Sequence, residues 1–215
     1  MMLLQSISDT LKHVSTSFVL LGAIGLIQFG IFNVLTHYSS KLYEDFGAKS
    51  PETQFGYSPK EYYEILDTWG IQGCNAYLNT AILRFFYIPT YVTLLCAVLW
   101  RSLHKAAFDT SATAQLAAAI LIADYGETAI LALACLQYPQ KLESSLIAVA
   151  DLCNKVKVVS IVFAVISIFA LVTIKSYLMP FLVLTKAAGG ETQQPTSTEK
   201  DWWKKKDTPA PKKKD

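Results

Sequence analysis

Residues Thr113 to Leu136 read TAQLAAAILIADYGETAILALACL, and this stretch decides the fold. A helix needs about 20 mostly apolar residues to cross a bilayer, and the stretch meets that length. Two carboxylates, Asp124 and Glu127, sit near its middle. An acid at bilayer depth costs at least about 2.5 kcal/mol, so a chain that keeps two must neutralise, pair or hydrate them. Their spacing places both on one face of the helix. Like charges so close disfavour joint ionisation unless cations approach.

The remaining chain supplies the walls around these acids. Of its 215 residues 52% are hydrophobic and 17% charged, against about 25% charged in ordinary soluble domains. Three further apolar runs bring the spans to four, at about 14–35, 81–100, 113–136 and 156–175. The expected fold is all-α, a four-transmembrane-helix bundle over residues 14–186. A short N-terminal segment, 1–13, precedes it. The first run is too long for the core of a cleavable signal and reads as an uncleaved span. Residues 187–215 are rich in Thr, Gln, Pro and Lys, with seven lysines from Lys200 onward, and read as a disordered tail.

Between the first two spans lies YSPKEYYEILDTWG, residues 57–70. Ser58 suits the cap, Pro59 the first helical position and Glu61 the third, which completes a capping box. Tyr62, Ile65, Leu66 and Trp69 then form an apolar stripe at helical spacing. The reading is an amphipathic helix that lies in the interface or lids the bundle, with Gly70 able to stop it. Pro89 should kink the second span, which is tolerable where a neighbour satisfies the freed carbonyl.

Candidate partners for the acids enter from the outer ends of the spans: Arg84, Lys157, Asn79 and Thr128 join Asp124 and Glu127 in one expected polar cluster. Leu136 marks the outer boundary, and the rise of 1.5 Å per residue puts Glu127 about 13 Å below it and Arg84 roughly 3 to 5 Å deep. Arg84 is therefore expected to reach Glu127 before Asp124, around a polar cavity with Asp124 deepest. Intramembrane ionisable groups mark ligand, proton or ion sites by default, while a buried ion pair can equally fix helix register. Cys74, Cys135 and Cys153 lie near one end of the spans, as buried thiols or with one disulfide among them. No GxSxG, HExxH, P-loop or dinucleotide fingerprint occurs, so no cofactor, catalytic residue or metal site is assigned, and nothing points to nucleic acid.

The Lys/Arg distribution favours cytosolic termini, with Lys12, Arg101, Lys105 and the basic tail on one side. Lys212 and Lys213 then resemble the dilysine retrieval signal of endoplasmic-reticulum membrane proteins. That compartment is the expected one, with the mitochondrial inner membrane as alternative.

Several pieces together resemble a widespread, functionally uncharacterised family of small four-span membrane proteins. They are Tyr57-Ser58-Pro59-Lys60-Glu61, the run from Trp69 and Gly70 through Gly73 to Tyr77, Pro89-Thr90-Tyr91, and Asp124-Tyr125-Gly126-Glu127-Thr128. The chain departs from the family's pattern at Cys74, Arg84 and Thr128. The resemblance implies the four-span fold and the polar cluster and carries no activity. The leading functional expectation is a non-enzymatic accessory or assembly subunit of a membrane complex, in contact with the lipid bilayer and other membrane subunits. The alternative is a protein that binds or transports a small ligand, a lipid, an ion or a proton through the carboxylate cluster.

Overall fold

A computed structural model describes residues 2–105, 110–174 and 176, and these contain five helices and no strand. Helix α1 is Met2–Thr16, α2 is Phe18–Phe46, α3 is Pro59–Lys105, α4 is Ser111–Gln137 and α5 is Ser144–Thr173. All but α1 are long and apolar enough to cross a membrane. The all-α, four-helix reading is therefore met. The basic tail, including Lys212 and Lys213, lies outside the described residues.

The N-terminal segment is itself a helix. It breaks at Ser17, whose extended backbone ends α1 and whose hydroxyl accepts from the Leu20 amide to cap α2. Leu11 and Val14 are buried on α1, so the first long helix begins at Phe18, not at Val14. Its 29 residues rise about 43 Å, more than a hydrocarbon core of about 30 Å needs. Gly47, in the left-handed region, closes it by donating its backbone N–H to the Tyr43 carbonyl.

The capping box opens α3 as the sequence predicts. The Ser58 amide donates to Glu61, and the Glu61 amide donates to the Ser58 hydroxyl. The stripe faces the bundle: Tyr62, Leu66 and Trp69 are all buried, so this segment packs as a lid and does not lie on lipid. Gly70 bends the helix without ending it. Its φ of 57° and ψ of −166° make it the one non-helical residue inside α3, and the helix resumes at once. At Pro89, where a kink is expected, the backbone stays helical. Proline has no amide for the carbonyl four residues back, which belongs to Phe85, and the Tyr125 hydroxyl of α4 donates to that carbonyl at 3.0 Å. Helix α5 is likewise one piece from Ser144, twelve residues before the expected start of the fourth span at about 156, since no Gly or Pro interrupts it.

Two apolar clusters divide the interior. One gathers Leu42, Tyr62, Trp69, Tyr77, Leu131 and Ile147, and the other gathers Leu11, Val14, Ile88, Val92, Ala117 and Ile120. Helices α3 and α4 therefore run antiparallel, with the segments around Arg84 and Asp124 between the two clusters. The polar layer lies there.

Candidate functional site

Five charged side chains meet in this layer. Asp124 and Glu127 of α4 are 2% and 0% exposed. From α5, Lys157 reaches the Asp124 carboxylate at 3.3 Å and touches Glu127 more closely still. From α3, the Arg84 guanidinium bridges Asp124 at 3.2 Å and Glu52 at 2.5 Å. Three tyrosines complete the carboxylate shells. Tyr91 donates to Asp124 at 2.7 Å, Tyr57 to Glu127 at 3.4 Å and Tyr77 to Glu52 at 3.1 Å. Buried charges survive in low dielectric when paired and hydrogen-bonded in this way.

Glu52 arrives by a route that helical periodicity does not signal. After α2 the chain turns through Pro51–Thr53, a single 3₁₀ turn, and folds inward so that Ser50, Pro51 and Tyr57 are buried and the Glu52 side chain is only 3% exposed. Helix α5 holds this strap: Asn154 donates to the Gln54 carbonyl at 2.8 Å, and Asp151 accepts from the Tyr57 amide at 2.9 Å. Gly56, at a φ of 83°, passes so close to α5 that a side chain there would meet Lys155 Cε at 2.8 Å and Asp151 Oδ1 at 3.1 Å. Burial first, and then the charge of Glu127, holds the Tyr57 phenol protonated far above its ordinary range.

Of the six residues expected in the cluster, Asp124, Glu127, Arg84 and Lys157 meet in it. Asn79 does not: it is exposed on α3 and makes no hydrogen bond to the layer among the described residues. Thr128 is buried next to Glu127 in sequence, but its Oγ1 has no partner, and the residue lines an apolar groove with Phe85, Ala129 and Ala132. Arg84 binds Asp124 and not Glu127. Ala81 and Leu136 do not end α3 and α4 at one level, because α3 extends back through Gly70 to Pro59. That shift in register sets Arg84 beside Asp124. All four cysteines are free, three of them buried, and the Cys74 and Cys135 thiols meet between α3 and α4.

The cavity expected around Asp124 and Glu127 is not the cleft found beside the layer, which neither carboxylate lines. This cleft occupies about 470 Å³ between α2, the strap and α3, and Arg84 is the layer's contribution to its wall. The two terminal nitrogens of Arg84 are held by Glu52 and Asp124, while Nε is buried without a partner.

Fold and site together define an all-helical protein whose four long apolar helices suit a multi-pass membrane protein and enclose a self-paired charged layer. No protein-family model, curated protein or solved structure matches the chain.

Proposed function

We propose that the chain is a multi-pass membrane protein that binds a small ligand and is not an enzyme. The charged layer serves as the rigid floor and the adjoining cleft as the binding site. The observation that carries this reading is the division of labour at Arg84. Two of its nitrogens are fixed inward on carboxylates, and the third is unpaired on a side chain that lines the cleft. An accessory subunit held by charged contacts to another chain would direct its acids outward. Here both helical acids are buried and find their partners within the chain, which favours the ligand reading over assembly.

Endoplasmic-reticulum residence with both ends of the bundle's chain on the cytosolic side is part of the proposal: the Lys/Arg distribution supports the orientation, and the dilysine-like Lys212 and Lys213 support the compartment. Native mass measurement after gentle extraction tests the binding function. The expected species is a lone chain carrying a small non-protein mass that is lost in Arg84→Leu. A chain that stays intact only with another protein subunit, or one that carries no added mass, would overturn the reading.

A further inference from the structure

The lining of the cleft restricts what it takes. Its charged residues are Lys49 and Arg84, and no Asp or Glu lines it. The hydroxyl residues Ser39, Ser40, Ser50 and Thr53 line the same cleft. Two of the lining residues carry a buried, unpartnered polar atom: Nε of Arg84 and Oγ of Ser50, the latter on a residue 5% exposed. Lys49 is exposed at the rim, rests over the Tyr43 ring and has no ion pair among the described residues. Unsatisfied buried donors call for an explanation, and two cations with several hydroxyl donors are what a phosphate or carboxylate accepts from.

The other side of the cleft is apolar, formed by Phe32, Leu35 and Tyr87. Phe32 and Phe29 continue onto the exposed, apolar surface of α2, the surface that would meet acyl chains in a bilayer. A free anion would gain nothing from such a wall, whereas an amphiphile uses both sides. We infer that this cleft binds the anionic headgroup of a membrane lipid, with the headgroup oxygens on Arg84, Ser50 and Lys49 and the acyl chain laid along Phe32 and α2.

This rests on the ligand-binding reading and narrows it to a class. The test uses the full chain in mixed micelles holding phosphatidate and phosphatidylcholine with identical acyl chains, read by native mass spectrometry. Phosphatidate should be retained at least about tenfold better, since charge-assisted hydrogen bonds are the strong ones and each factor of ten is a small step in free energy. Lys49→Ala with Ser50→Ala should remove that preference, and Lys49→Arg should keep it. Neither position belongs to the charged layer, and an unchanged melting temperature verifies that these variants fold. Equal retention of the two lipids, or a preference indifferent to the double variant, overturns the assignment. So does full displacement by millimolar inorganic phosphate, which would make the ligand a free oxyanion. In each of those cases a small mass that still co-purifies leaves the broader ligand reading standing, and its absence removes both.

Discussion

The Tyr125 hydroxyl donates to the Phe85 carbonyl, the acceptor on α3 that Pro89 leaves without an amide. The two rings also pack, with centroids 4.8 Å apart. Within lipid an orphaned carbonyl has no water to turn to, so the two residues form a compensated pair across two helices. Tyr125→Phe should lower stability by about 1–2 kcal/mol, the range for losing one partner of a hydrogen bond. In a Pro89→Ala background residue 89 regains its amide and the same change should be nearly neutral. A double-mutant cycle on melting in detergent reads the coupling, and equal effects in both backgrounds would refute it.

The charged layer makes an asymmetric prediction. Glu52, Asp124 and Glu127 are three carboxylates against two cations, Arg84 and Lys157, so the fully ionised layer carries one surplus negative charge. Glu127→Gln removes the surplus and keeps an oxygen for Tyr57, and Lys157 still has Asp124. Its loss should stay below about 1 kcal/mol. Lys157→Met leaves three acids with Arg84 alone and should destabilise by about 3–5 kcal/mol, the usual result of stranding a buried charge. Adding Glu127→Gln to Lys157→Met should recover part of it. If Glu127→Gln proves the worse of the two single changes, the charge balance described here is wrong.

Much of this layer was legible because helices advertise their faces. Asp124 and Glu127 stand out inside an apolar run, and Arg84 and Lys157 lie in the neighbouring runs at compatible depths. The capping box at Ser58 and Glu61 is local chemistry and needs no tertiary information. Glu52 was not legible: it sits in an irregular strap whose inward course depends on Gly47, Gly56 and bonds to α5, and no period links it to Arg84. Tyr91 and Tyr57 lay within stretches already singled out, yet a tyrosine beside an acid reads as ordinary packing until the geometry is known. The Arg84–Asp124 register was missed because one glycine bend was taken for a helix end.

That bend gives a third prediction. Gly70 has backbone angles essentially reserved for glycine, and a Cβ there would meet nothing within 4 Å. Gly70→Ala should therefore show a purely conformational loss of about 1–3 kcal/mol. Gly73→Ala differs, because its Cβ would fall 2.4 Å from Trp69 Cβ. Trp69 cannot yield freely: its indole donates to the Ala48 carbonyl at 3.0 Å and its ring stacks on Tyr77 at 5.5 Å. Gly73→Ala should thus be the more damaging change and should alter Trp fluorescence, while Gly70→Ala lowers the melting temperature with the Trp69 environment kept. The reverse ranking would mean that the lid does not pack as described.

The proposed topology can be checked with residues that the fold leaves open. Asp9 on α1 and Gln140 between α4 and α5 are both exposed. Three of the four long helices lie between them, so they fall on opposite sides if each long helix spans once. In a Cys153→Ser background, which removes the half-buried native thiol, Asp9→Cys and Gln140→Cys are labelled in sealed endoplasmic-reticulum vesicles with a membrane-impermeant maleimide. Asp9→Cys should react at once, since the Lys/Arg bias puts its side in the cytosol, and Gln140→Cys only after permeabilisation. The opposite pattern would invert the orientation and remove the basis for a cytosolic retrieval signal. Labelling of both sites before permeabilisation would show an even number of crossings between them and so overturn the four-span reading.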